Sequence, residues 1–182
     1  RMLQDGGNAV DAALATAITL TVVEPVMNGI GSDAFCILWD GQQLDGLNAS
    51  GRSPAAWTPE RFSGLEEMPQ RGWDAITVPG CVSAWMALSK RFGRLPFEKL
   101  FEPAIHYAES GFQVGPVSSE MWEESVVILG RFEEFHRVFL PQGRGLRTGE
   151  RFQNPDQAKT LQLIAETKGE AFYRCLLYTS DA

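Results

Sequence analysis

Residues 6–25 read GGNAVDAALATAITLTVVEP, and the fold of the chain turns on how this stretch is read. Asn8 is a favourable helix N-cap, Asp11 falls in the first turn where the helix dipole favours an anion, and Pro25 stops the run. The spacing predicts a helix from about Asn8 to Glu24. Its Ala, Val, Leu and Ile residues run almost all the way round, which predicts a buried helix rather than an amphipathic one. A membrane span is the poorer reading, because the apolar run is short and Thr16, Thr19 and Thr21 dilute it. The many alanines predict close helix-to-helix or helix-to-sheet contact.

Working outward, NGIGSDAF follows as residues 28–35. Its glycines suggest a phosphate loop, but the helix precedes the loop here, the reverse of the order a phosphate cradle needs, so a tight turn is the better reading. AFCILW and QQLDGLNA flank Asp40-Gly41, a hairpin signal in which both central turn residues take positive φ. Phe35, Ile37 and Trp39 then share one face, with Cys36 and Leu38 on the other. Apolar residues on both faces predict a central, covered strand. The second strand delivers Asn48, Ser50 and Arg52 to one common face.

Beyond Trp57 helices dominate. PERFSGLEEMPQRGW reads as loop and short helix, AITVPG as a short strand, and VSAWMALSKRFG as a helix of about three turns with Val82, Trp85, Met86 and Leu88 at helical spacing. LPFEKLFEPAIHYAESGF reads as two short helices broken at Pro103 and closed by Gly111. VSSEMWEESVVILGRFEEFHRVFL is helical with an interruption near Gly130. LPQGRGLRTGERFQN is a turn-rich connector, and PDQAKTLQLIAETKGEAFYR a last helix with Gly169 past its end. The order is helix, hairpin, then mostly helices: an α/β (α+β) chain whose sheet looks too small for its helices.

At 182 residues the chain is long enough for one domain or for a piece of a larger one. Its net charge of −7, with no basic stripe, argues against nucleic acid or an anionic membrane as partner. Arg1 stands where an initiating Met is absent, and no leader follows. A signal peptide upstream is therefore compatible with the sequence, and the compartment stays open between periplasmic or extracellular and cytoplasmic. The cysteines at 36, 81 and 175 lack metal-like spacing and leave one unpaired, so they predict no disulfide framework.

No complete catalytic set emerges from the residues themselves. His106 and His136 lie far apart and read as helix-surface or core histidines. Cys81 precedes a helix and could feel its N-terminus, but without a nearby His it reads as a small packed residue. Ser50 and Ser53 lack the GxSxG of a nucleophile elbow. Glu66-Glu67 and Glu123-Glu124 read as solvated faces. Arg52, in LNASGRSP (47–54), is either a surface charge or the planar fork that clasps a carboxylate through two charge-assisted bonds.

Taken in order, GGNAVDAALATAITLTVVEP, NGIG, LNASGRSPAA, VPGCVSAWMALSKRFGRLPFEKLFEPAIHYAESGFQV and KGEAFYR resemble the gamma-glutamyltransferase family across nearly all of residues 1–174. The resemblance implies an N-terminal-nucleophile hydrolase, whose fold is a four-layer αββα sandwich. It implies a precursor that cuts itself into large and small subunits, the new N-terminal threonine of the small subunit acting as nucleophile and, through its amine, as base. Residues 1–174 then correspond to the early large subunit, and no threonine here takes the catalytic role. The partners implied are a small-molecule substrate and the chain's own small subunit. No metal or organic cofactor is implied. Residues 175–182, CLLYTSDA, depart from the family pattern. They are what TGT CTC TTA TAC ACA TCT GAC GCT encodes, a sequence resembling a transposase adapter, so they are expected to be read-through rather than protein.

In the glutathione-processing members, an Arg four residues before a Pro binds the α-carboxylate of the γ-glutamyl group. Here Ser50 stands at that distance from Pro54, and Arg52 stands two before it. Along a strand, that offset keeps the side chain on one face but moves it by roughly 6–7 Å. Either a local bulge restores the position, or the acyl donor differs. GSDAF also stands where those members carry a glycine run. Both departures resemble the gamma-glutamyltransferase-like branch that includes oxamate amidohydrolases and acylases of the cephalosporin type. The expected function is amide hydrolysis, with acyl transfer as the family's second activity, on glutathione, another γ-glutamyl compound or another small carboxylate-bearing amide. The alternatives are an oxamate amidohydrolase, an acylase, or a non-catalytic amino-acid-binding relative.

Overall fold

The computed structural model describes residues 1–176, with side chains through Arg174. The suspected read-through octapeptide lies, for residues 177–182 and the side chains of 175 and 176, outside the described residues.

Helix α1 spans Ala9–Val23, as its capping signals predict. Asn8 Oδ1 accepts from the Asp11 N–H at 3.0 Å, and Asp11 Oδ2 accepts from the Asn8 N–H at 2.8 Å, a reciprocal capping box. Asp11 does more than cap. It is fully buried, and its carboxylate also accepts from the backbone N–H groups of Arg94 and Leu95, while Asn8 Nδ2 donates to Phe92 O at 2.6 Å. The start of α1 is thus bolted to the chain 83 to 84 residues downstream. A buried carboxylate is tolerable only because each oxygen is hydrogen-bonded.

The expectation of burial all round α1 is corrected. Leu14, Ala15, Ile18 and Val22 are buried, whereas Ala13, Thr16 and Leu20 are exposed, and a groove of about 710 Å³ runs along that side past Pro103 and Tyr107. Small residues on the open side make the helix look uniformly apolar in sequence while leaving little surface that needs covering.

The hairpin forms from β1 (Ala34–Trp39) and β2 (Leu44–Ala49), antiparallel, with Phe35 opposite Asn48 and Trp39 opposite Leu44. Its turn differs from the expected two-residue form. Four residues, 40–43, connect the strands; only Gly41 among them has positive φ, and the Asp40 side chain accepts the N–H groups of Gln42 and Gln43. This Asx geometry supplies the reversal that a second positive φ would otherwise provide. The prediction of a central, covered strand is also corrected. Cys36 and Leu47 face the main core, but Phe35, Ile37 and Trp39 are 68%, 81% and 62% exposed. The sheet has two strands, and among the described residues nothing covers its outer face.

Helix α2 (Cys81–Phe92) packs on the inner face of the hairpin, burying Val82, Trp85 and Leu88 at the predicted spacing. AITVPG forms no strand. Residues 73–75 make a 3-10 turn, and Val78 contributes one backbone bond to Arg52. A 3-10 turn at Phe97–Phe101 runs into α3 (Glu102–Ser110), so Pro103 sits in the first turn of α3, where its missing N–H costs nothing. Helices α4 (Pro116–Leu129) and α5 (Glu133–Phe139) confirm the interruption at Gly130, and α6 (Pro155–Thr167) ends before Gly169. A second small sheet, unseen in the sequence, pairs β3 (Phe112–Gln113) with β4 (Arg151–Phe152).

Two cores result. The larger joins α1, α2, the 97–101 turn, α3 and α6 through Ile18, Val82, Phe101, Ala104, Leu161 and Ile164. The smaller gathers Trp122, Leu140, Leu146 and Phe152, with the Trp122 ring edge-on to Phe152 at 4.9 Å and its Nε1 donating to Phe139 O.

Candidate functional site

Three loops meet at the N-terminus of α2. From the NGIG turn, Ser32 O accepts the N–H groups of Gly80 and Cys81 at 3.2 and 3.0 Å. From the end of the hairpin, Ser50 O accepts from Thr77 Oγ1 at 3.2 Å, and Arg52 O from the Val78 N–H at 2.9 Å. The third loop, 77–80, lies between them.

Two glycines make this meeting possible. Gly51 has φ +78°, and a Cβ there would sit 2.0 Å from Val78 O; a Cβ on Gly80 would sit 1.9 Å from Ala49 O. Both contacts are to backbone, which cannot swing aside.

The expectation that Asn48, Ser50 and Arg52 line one face of a strand is corrected here. Strand β2 ends at Ala49, Asn48 Oδ1 takes the Ser50 N–H at 3.0 Å, and Gly51 turns left-handed. The period-two arithmetic lapses at that turn, so the 6–7 Å offset inferred from strand spacing does not describe where Arg52 lies.

Arg52 nonetheless reaches the cleft that the three loops enclose. Asn48, Ser50, Arg52, Val78, Ser83 and Tyr173 line a concavity of about 630 Å³. Arg52 is exposed, is the one charged residue in this lining, and has no ion-pair or hydrogen-bond partner for its guanidinium among the described residues. Several other arginines are committed: Arg91 to Asp45 at 2.5 Å, Arg61 to Asp74 at 2.8 Å, Arg144 to Glu150 at 2.7 Å.

Most of the N–H groups at the start of α2 already have acceptors within the chain. Its Gly80 and Cys81 N–H groups are held by Ser32 O, and the Ser83 N–H is held by the Tyr173 hydroxyl at 3.0 Å. The full positive charge in the cleft lining is that of Arg52.

Tyr173 is the residue that reading single positions missed. It was visible only as part of KGEAFYR, and nothing in that local pattern says that its ring crosses to α2. Cys81, by contrast, behaves as the sequence suggests. It is buried, its Sγ lies 2.9 Å from Ile30 O, and burial pushes its thiol up to about 11, far from a nucleophile's range. His106 and His136 are exposed on α3 and α5, and the acidic pairs at 66–67 and 123–124 are exposed as well. Among the described residues no His, Cys, Asp and Glu cluster has metal-binding geometry.

The family model of gamma-glutamyltranspeptidase matches residues 1–177. The chain belongs to the gamma-glutamyltranspeptidase family. The "glutathione hydrolase-like YwrD proenzyme" of Bacillus subtilis is 39% identical over 176 residues, covering 95% of this chain and 34% of that protein. The oxamate amidohydrolase proenzyme of Klebsiella pneumoniae is 34% identical over 181 residues, again covering 95% of this chain and 34% of the relative. Among solved structures, a cephalosporin acylase from Bacillus halodurans superposes with a TM-score of 0.90 at 42% identity, over 95% of this chain and 34% of that one. The fold is accordingly that of the N-terminal-nucleophile hydrolases of this family, in a helix-rich part carrying an early hairpin. The chain spans about a third of the length of the relatives it matches. No helix among the described residues is long and apolar enough to cross a membrane.

Proposed function

We propose that residues 1–174 are the early large-subunit region of a self-cleaving precursor whose mature form hydrolyses the amide of a small carboxylate-bearing compound, with Arg52 holding the carboxylate. The observation that carries this is the uncommitted guanidinium of Arg52, the one charged side chain lining the cleft, beside an α2 N-terminus whose Cys81 and Ser83 N–H groups already have acceptors. A planar fork without an internal partner is suited to two parallel bonds with a carboxylate. The nucleophile in this reading is the N-terminal threonine of the small subunit, outside these residues, with its own amine as base.

A γ-glutamyl compound such as glutathione is one donor class. GSDAF in place of a glycine run favours a second: a shorter acid of the oxamate type or the acyl side chain of an acylase substrate. The names of the relatives include both classes.

The test is kinetic. The full-length mature enzyme is assayed on a γ-glutamyl anilide and on oxamate, with and without Arg52→Ala. The substitution is expected to cost about 2–5 kcal/mol in kcat/KM on the better substrate, a loss of roughly 30-fold or more. An unchanged kcat/KM removes Arg52 from substrate binding. A small subunit whose first residue is not a nucleophile would instead identify a non-catalytic binding relative.

A further inference from the structure

Helix α2 begins without a side-chain cap. Its N-cap residue is Gly80, and the Ser, Thr, Asp or Asn that ordinarily accepts the N3 N–H is sterically barred there, because a Cβ would meet Ala49 O at 1.9 Å. The N3 residue is Ser83, and its N–H is satisfied from 90 residues away by the Tyr173 hydroxyl at 3.0 Å. The same hydroxyl donates to Pro79 O at 2.7 Å. One phenol oxygen thus accepts from the helix and donates to the loop before it, holding both sides of Gly80.

That loop is what the Arg52 turn leans on. Val78 N–H donates to Arg52 O at 2.9 Å, Thr77 Oγ1 donates to Ser50 O, and Gly51 is pressed against Val78 O. Among the described residues Tyr173 makes no hydrogen bond to Arg52 or to any other charged side chain, yet it lines the same cleft.

We infer that Tyr173 is a positioning residue for carboxylate recognition: by clamping Pro79 and Ser83 it fixes the 77–80 loop, and through Val78 it sets where the Arg52 guanidinium stands. The inference rests on the reading of Arg52 as the carboxylate anchor. It assigns the end of the KGEAFYR segment a task at the substrate cleft rather than in the core alone.

The test uses Tyr173→Phe in the full-length mature enzyme, which keeps the ring and removes both hydrogen bonds. KM for a carboxylate-bearing acyl donor is expected to rise roughly five- to thirtyfold with kcat changed less than about threefold. The KM of an otherwise matched donor lacking the carboxylate stays put. In the Arg52→Ala background, Tyr173→Phe adds no further rise in KM, because the two substitutions disable one function. Equal losses on both donors, or a failure of Tyr173→Phe to give folded, processed enzyme, make Tyr173 a general stability residue and overturn the inference. An effect of Arg52→Ala without any effect of Tyr173→Phe overturns it while leaving the Arg52 reading intact. No effect of Arg52→Ala ends both.

Discussion

Gly80 sits where a serine or aspartate would normally help a helix to start, yet the close pass of Ala49 O admits no Cβ. Because the obstruction is backbone, a side chain placed there must push β2 off α2. Gly80→Ser is therefore expected to destabilise the full-length protein by about 3 kcal/mol or more, although serine is the better N-cap in the abstract. Gly31, with open space around it, serves as the control: Gly31→Ala is expected to shift stability by no more than about 0.5 kcal/mol. Chemical denaturation of both variants measures the difference, and equal midpoints would show that the approach at Gly80 relaxes freely. Asp11 makes the complementary point. Its place in a capping box is readable from Asn8 and the first-turn acid, but its bonds to Arg94 and Leu95 depend on where α2 ends.

At the scale of elements, the connector 141–154 shows how local chemistry shapes an irregular segment. The Arg144 guanidinium forks onto both oxygens of Glu150, at 2.9 and 2.7 Å, and the Arg147 N–H adds a third bond at 2.8 Å. The arginine's side-chain hydrogen bonds, ahead of that backbone bond, hold the Glu150 carboxyl down at about 2 from an ordinary 4.5. A depressed folded-state value means that the group binds its proton more readily when unfolded. Its contribution is fully present above about pH 4.5 and is lost as pH falls toward 2. Glu150→Gln is expected to melt below wild type at pH 6, with the gap closing between pH 4.5 and 2. A gap independent of pH would mean that the loop is held by something other than this charge pair. The pairing itself, six residues apart in a turn-rich stretch, has no periodic signature. The same holds for β3 and β4, two residues each, which no strand pattern could reveal.

At the scale of the whole molecule, the outer face of the hairpin dominates. Phe35, Ile37, Trp39 and Leu44 form an apolar face on a two-stranded sheet, a unit marginal in water by itself. Expressed alone, residues 1–182 are expected to show no hydrolase activity and to aggregate, with aspartate at Ile37 and Trp39 improving solubility. Light scattering and size-exclusion chromatography read this directly. A soluble, cooperatively melting monomer would show that the face needs no partner. The same surface explains why covered strands were expected: apolar residues on both faces record the environment a strand is selected for, and the described residues supply only the inner layer.

The sequence by itself determined the helices and the hairpin. Asn8, Pro25, Gly130 and Gly169 punctuate the helices as read, Asp40-Gly41 places the hairpin, and the ordered motifs announce the family. These are legible because capping, turn formation and helix termination depend on residues within a few positions of one another. Only the tertiary structure decided the cleft. Gly51 and Gly80 are adjacent because β2 ends against α2, and Tyr173 caps a helix that starts 92 positions earlier. Arg52 follows a left-handed turn rather than a strand. Contacts at such separation leave no local pattern, since their geometry exists only once the helices have packed.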